Sequence, residues 1–162
     1  MKILCHPERS EGSLKEHPII FGFFLIFIFI LFSNPSHAAP IPPQVCHLDH
    51  CVTVEVVSKQ DDLERGLMYR LGLEQNTGML FKFSTDGIQQ FWMKNMHFNL
   101  DILWISADGH IVYVGQNIPA CTTDPCPVYT PDKLARYVLE LASGYTASHH
   151  WSLGDKLDFK GI

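Results

Sequence analysis

The sequence lacks several features that would assign a function quickly. No apolar stretch reaches the roughly 20 residues that a bilayer-spanning helix needs. The longest, from Ile19 to Phe32, has 14. No basic excess exists: 12 Lys and Arg stand against 17 Asp and Glu, a formal charge of −5. That balance, without any basic run, argues against nucleic acid or an anionic lipid surface as a partner. There is no nucleophile elbow, no phosphate loop and no His-Glu-x-x-His. Internal repeats are absent, which excludes a solenoid.

What is present divides into two unlike parts. The apolar run is followed by the helix breakers Ser33-Asn34-Pro35 and then by Ser36-His37-Ala38-Ala39. Small residues at Ser36 and Ala38 suit signal peptidase, with cleavage before Ala39. Residues 1–38 are therefore expected to be a signal peptide, with an uncleaved membrane anchor as the alternative. The first eighteen residues carry Glu8, Glu11 and Glu16 beside Lys2, Arg9 and Lys15, so the usual positive start is missing. A true start near Leu14 or Lys15 accounts for this. Residues 39–51 form a linker, stiffened by Pro40-Ile41-Pro42-Pro43, and a Cys-His segment. Residues 52–162 form one domain.

Export to the periplasm or beyond places the cysteines in an oxidising compartment. Four follow the leader: Cys46, Cys51, Cys121 and Cys126. They allow three connectivities, and sequence does not choose among them. The two C-x4-C spacings favour local pairs, Cys46 with Cys51 and Cys121 with Cys126.

The domain is a succession of short β runs. Val52–Val57, Gly78–Phe83, Gln90–Lys94, Leu100–Ile105, His110–Val114 and Arg136–Leu141 are rich in β-branched or aromatic residues. Lys156–Phe159 adds a late strand after the turn at Gly154-Asp155. Asp108-Gly109 marks a tight turn. One short helix is expected after Ser58, which can cap it, with Leu63 and Leu67 four apart on the core side. The pattern points to a mainly β, antiparallel sandwich or small barrel.

Several blocks are familiar in their order: Arg65-Gly66-Leu67-Met68-x-Arg70, Gly78-Met79-Leu80-Phe81-x-Phe83, Phe91-Trp92-Met93-Lys94-Asn95, Leu100-Asp101-Ile102, Cys126-Pro127-x-Tyr129, Arg136–Glu140 and Gly154-Asp155. Together they span about residues 52–160. The chain resembles the family known as domain of unknown function 192. The resemblance implies a small, exported or membrane-tethered, β-rich domain with a jelly-roll-like or barrel-like sheet. It implies no activity. The chain departs from the family pattern at Met96-His97-Phe98-Asn99, where threonine and proline are commoner, and in its Cys46–Cys51 segment.

The segment from Gln89 to Ile105 is the most suggestive for chemistry. Folded as a hairpin around Met96–Asn99, it pairs Lys94 with Asp101 and Trp92 with Leu103. Alternation then puts Trp92, Lys94, Asp101 and Leu103 on one face, and Phe91, Met93, Ile102 and Trp104 on the other. The first face combines an aromatic platform with fixed polar groups, as binding grooves do. The bland alternative is a cross-strand Lys94–Asp101 pair that sets register. Arg136 and Glu140 share a face of the late strand, with Tyr137, Leu139 and Leu141 pointing inward. If Arg65, Lys94 and Arg136 converge, the site suits a carboxylate or phosphate.

The leading expectation is thus a non-catalytic envelope domain that binds a small polar or anionic ligand or a protein partner. Trp92, Lys94, Asn95, Asp101, Arg65 and Arg136 would line its site. No cofactor is expected, and membrane contact only through an uncleaved leader. An envelope enzyme is the alternative, with Asp101, Glu140, Asp124 and Lys94 as acid–base groups or a Cys–His pair drawn from Cys121, Cys126 and His97. A third reading is metal handling, by Met93, Met96, His97, Met68 and Met79 or by Cys46, His47, His50 and Cys51. A cleft holding Asp101 or Glu140 with a raised pKa favours the enzyme. A shallow aromatic groove without such a group favours the binder.

Overall fold

The computed structural model describes residues 40–162. The expectations for the leader, its cleavage and the start position lie outside the described residues. Nine strands and two short helices follow in chain order among those residues. They are β1 (Gln44–His47), β2 (His50–Val57), α1 (Gln60–Arg65), β3 (Thr77–Gly87), β4 (Phe91–Trp92), β5 (Leu100–Ile105), β6 (Ile111–Ile118), β7 (Val128–Tyr129), β8 (Ala135–Ala142), α2 (Tyr145–Ser148) and β9 (Asp158–Lys160). Neither helix is long and apolar enough to cross a membrane.

Seven strands form one sheet in the order β6-β5-β8-β3-β2-β1-β9, and β4 pairs with β7 in a separate small sheet. All pairings are antiparallel except β2 with β3, which run parallel. The connection between those two carries α1. The large sheet is not closed into a barrel. Its two ends nevertheless meet at one isolated bridge, His110 with Lys156. Backbone bonds from Ile111 N–H to Asp155 O (2.9 Å) and from Leu157 N–H to Gly109 O (2.9 Å) flank that bridge.

Hydrophobic residues pack on both faces of the sheet. The inner cluster includes Val45, Val54, Leu80, Leu103, Leu139, Trp151 and Leu157. The outer one includes Leu67, Met79, Phe81, Met93, Ile102, Trp104 and Val138. The outer face is covered by the Leu63–Leu67 side of α1 and by the β4–β7 sheet, which makes the architecture sandwich-like. Strand β5 is buried along its whole length. That is why Leu100-Asp101-Ile102-Leu103-Trp104-Ile105 is almost continuously apolar rather than alternating.

Several sequence expectations need correction. The helix begins with Lys59 at the N-cap and no side-chain cap. Asp62 N–H and Leu63 N–H both bond to Lys59 O, and no first-turn N–H is capped by the Ser58 side chain. The sheet starts at Gln44, earlier than the strand read from Val52, because a two-residue turn at Leu48-Asp49 folds β1 onto β2. The second helix, α2, had no signal in its four residues. The Gln89–Ile105 hairpin does not form. Trp92 pairs with Val128 on β7, while β5 pairs with β6 and β8. Asn95 at φ +58° turns the chain between them.

The cysteines pair locally, Cys46 with Cys51 and Cys121 with Cys126. The first bond joins directly opposed residues of β1 and β2. The second closes the loop before β7. Two disulfides point to an oxidising, non-cytoplasmic setting.

Asp101 is the polar exception on the inner face and is 0% exposed. Its Oδ1 accepts from the backbone N–H of Asn117 (2.8 Å) and Gly144 (3.2 Å). Its Oδ2 accepts from Thr146 N–H (2.9 Å) and Thr146 Oγ1 (2.7 Å). One carboxylate thereby ties the end of β6 and the start of α2 to β5. The Asp101→Asn variant keeps the shape but turns an N–H donor toward these donors. It is expected to lose about 3 kcal/mol of unfolding free energy, read by urea denaturation at neutral pH. An unchanged urea midpoint would refute this role.

Candidate functional site

A cleft lies on the outer face of the sheet, between α1 and the β4 segment. Its volume is about 650 Å³. Its floor comes from β3 and β8, where Phe81 and Glu140 stand. One wall is α1 and its exit, with Gln60, Glu64, Arg65 and Gly66. The other is the extended chain from Gln89 to Trp92. That second wall is anchored from beneath, because Trp104 Nε1 donates to Gln89 O at 2.7 Å. Phe91 meets Phe81 edge-on at 4.9 Å and Trp104 at 5.8 Å. Such pairs add about 1 kcal/mol each beyond burial.

Glu140 is the unusual group. It sits mid-strand in β8, opposite Met79 of β3 and Ile102 of β5, and is 5% exposed. Its Oε2 is buried and receives no hydrogen bond from the protein. Burial pushes its carboxyl up to about 8, against the weaker opposing pull of the Arg70 charge. Glu140 is therefore largely uncharged at neutral pH.

Gly66 sets the space above it. At φ +48° and ψ −133° the residue adopts a backbone that favours glycine. A β-carbon there would come within 3.0 Å of Phe81 Cζ and 3.9 Å of Glu140 Oε2. The glycine keeps the helix exit close to the floor without a side chain pressed between Phe81 and the carboxyl. The next residues are clipped in place from the far wall: Tyr69 N–H donates to Asn95 O at 2.9 Å. Asn95 Nδ2 in turn donates to the Tyr69 hydroxyl at 2.8 Å.

The cleft takes Arg65 and Trp92 from the residues singled out in the sequence. Trp92 is 47% exposed and carries the Lys94 ammonium 5.3 Å from its ring centroid. Arg65 pairs with Asp62 at 2.6 Å. Lys94, Asn95, Asp101 and Arg136 lie outside the lining. Lys94 does not pair with Asp101, whose acceptors are directed at Asn117, Gly144 and Thr146 on the inner face. Arg136 pairs with Asp86 at 2.8 Å. Arg65 and Arg136 thus each have a carboxylate of their own, and the three cations do not line a common cleft.

Sequence reasoning placed Arg136 and Glu140 on one face of the late strand, with Val138 between them, but did not foresee that Glu140 is buried. The signal for burial was present: Glu140 interrupts the apolar run Val138-Leu139-Glu140-Leu141. Gln60, Gln89 and Gln90 gave no signal, since amides on a wall look like any polar surface.

The remaining chemistry is accounted for elsewhere. The disulfides consume all four thiols, which removes them as metal ligands or nucleophiles. Met79, Met93 and Met96 are buried in the outer core. His47 bonds Lys156 O through Nδ1 at 3.0 Å, and His50 meets the ring of His149 edge-on. Among the described residues no group of three His, Cys, Asp or Glu side chains is placed to hold a metal ion.

The chain matches the domain of unknown function 192 family, described as an uncharacterised ACR, over residues 44–159. No curated protein matches it significantly. Two solved structures share the fold. One is a Sinorhizobium meliloti 1021 protein provisionally named a transcription regulator, 31% identical, with a TM-score of 0.65 over 74% of this chain and 93% of its own. The other is a protein of unknown function from Novosphingobium aromaticivorans DSM 12444, 24% identical, with a TM-score of 0.65 over 77% of this chain and 89% of its own.

The buried carboxyl makes stability depend on pH in a defined direction. Below the ordinary value of 4.5 Glu140 is protonated in both the folded and the unfolded chain. Between 4.5 and about 8 the unfolded chain gives up this proton while the folded one keeps it. Rising pH then favours unfolding by on the order of 1.4 kcal/mol per pH unit from this group, and the effect levels off above about 8. Glu140→Gln should lack this slope. Urea unfolding of both proteins across that window is expected to show the variant gaining relative stability as pH rises. Parallel curves would contradict the burial account.

Proposed function

The chain belongs to the domain of unknown function 192 family, and from that premise we propose that it is an exported envelope domain that binds a small organic ligand in the cleft above Glu140. The observation that carries this reading is a buried carboxyl oxygen without a partner at the floor of an aromatic cleft. A buried polar atom left unpaired costs about 1–3 kcal/mol, and a ligand that satisfies it recovers that cost on binding. Around it stand the features of a small-molecule site: apolar walls from Phe81, Phe91 and Trp92 and a few polar groups at the rim. The apolar run and small-residue site that precede Ala39, together with the two disulfides, support export by a signal peptide.

A second reading draws on one specific observation. A carboxyl that stays protonated at neutral pH inside a cleft is suited to general-acid catalysis. Glu64 is the other carboxylate of the lining, and its Oε1 accepts from Gln60 Nε2 at 2.6 Å. The aromatic walls suit a binder and the raised acid suits an enzyme, so the fate of the ligand separates them. A regulator of transcription, the role in the name of the Sinorhizobium protein, draws no support from a domain with nine Lys and Arg against fourteen Asp and Glu.

The test is a fragment screen by protein-observed NMR on the exported protein. Binders are expected to shift the amides of Gly66, Gln89–Trp92 and Glu140 together. Trp92→Ala should weaken them about tenfold, as loss of an aromatic contact of 1–2 kcal/mol would. Hits recovered unchanged support the binder; conversion that is lost in Glu140→Gln supports the acid. Shifts confined to other surfaces would defeat both readings.

A further inference from the structure

The charge inventory of the cleft selects a class of ligand. The charged groups on the elements around Glu140 are Glu55 on β2, Asp61, Asp62, Glu64 and Arg65 on α1, Arg70 beyond α1, Lys82 and Asp86 on β3, Asp101 on β5, Arg136 on β8, and Lys94 beside Trp92. Arg65 pairs with Asp62, Arg70 with Glu55 at 2.7 Å and Arg136 with Asp86. Each of the three arginines is therefore already matched by a carboxylate, and Lys94 stands over the Trp92 ring rather than at Glu140. Glu140 is matched by none. It lies in one row across the sheet with Glu55 and Met79, and the cation whose charge reaches it, Arg70, is held by Glu55. What the cleft lacks is a positive charge that also donates a hydrogen bond.

Its walls suit such a group. Phe81, Phe91 and Trp92 line the same space as Glu140, and aromatic faces attract ammonium ions. The protein itself uses Trp92 in this way, holding the Lys94 ammonium over the ring. An anion gains less, since the three arginines are held by carboxylates, Lys94 lies outside the lining and an acidic domain repels it.

We propose that the cleft takes an organic ammonium ligand, a primary amine on an aromatic or apolar body, with its N–H groups donating to Glu140 and its body against Phe81, Phe91 and Trp92. This rests on the binding reading above and gives it a ligand class. An ammonium does what a neutral donor does not: besides donating a hydrogen bond, it supplies the counter-charge that lets Glu140 ionise. Binding is therefore coupled to loss of the Glu140 proton. Since burial holds that carboxyl at about 8, about 0.9 proton should leave per amine bound near pH 7.

The probes are benzylamine, benzyl alcohol and benzoate, matched in ring and size and differing in charge. They are titrated calorimetrically into the full exported protein in phosphate and in MOPS, whose different ionisation heats report proton release. Benzylamine is expected to bind at least tenfold tighter than the other two and to release close to one proton. Its affinity should rise roughly tenfold from about pH 6 to about pH 7. Glu140→Gln, which keeps the shape, should abolish the release and the preference, and its retained fold is checked by the dispersion of its NMR spectrum. Benzyl alcohol or benzoate binding as tightly, with shifts at Gln89–Trp92, would overturn the ammonium assignment while leaving the binding site in place. Benzylamine binding without proton release overturns the contact with Glu140. Binding by none of the three, with no shift at Gln89–Trp92, overturns the ammonium assignment; the broader fragment screen then decides separately whether the cleft binds at all.

Discussion

Strand β5 must be covered on both faces, and most of the architecture answers that demand. Its apolar side chains alternate between an inner and an outer cluster. The inner face is enclosed by the curl of the large sheet, by Trp151 and by Leu157. The outer face cannot be enclosed by the same curl and needs separate cover. α1, with Leu63 and the following Leu67, supplies part of it, and the β4–β7 sheet supplies the rest. The two covers come from different stretches of chain. The cleft is the space that remains between them.

Each face carries one buried carboxyl, and the pair shows how environment decides role. Asp101 collects four hydrogen bonds from Asn117, Gly144 and Thr146. It is consumed by the fold. Glu140, on the neighbouring strand and the opposite face, has an oxygen without any such bond. Leaving it so lowers stability at neutral pH, since its ionised form is excluded. A group kept at that disadvantage, in a cleft that Gly66 holds open, is where a ligand would act. Function reads from the polar group that the fold leaves unused.

The mainly β architecture and its strand positions were legible because short β-branched runs separated by Asp108-Gly109 and Gly154-Asp155 have few other solutions. Local disulfide pairing was favoured by the two short spacings and decided by the structure. The error over Gln89–Ile105 has a plain cause. Adjacent β runs joined by four residues suggest a hairpin, but pairing is decided by what each strand must bury. β5 needed neighbours on both edges and took β6 and β8. The two residues of β4 could not compete for that place and joined β7 instead. Once that register went, the supposed Lys94–Asp101 face went with it.

By itself the sequence determined the local terms. These include the strand runs, the turns, the short disulfide loops, the family blocks, the acidic balance and the parity that sets Arg136, Val138 and Glu140 on one face. Each depends on residues near one another in the chain. Only the tertiary structure decided which carboxyl is satisfied, which cations are already paired, and that Gly66, Gln89–Trp92 and Glu140 enclose one space. Those outcomes depend on desolvation and on contacts between residues as far apart as 66 and 140. Burial raises the cost of an unpaired charge, and burial is a property of the assembled sheet and its covers.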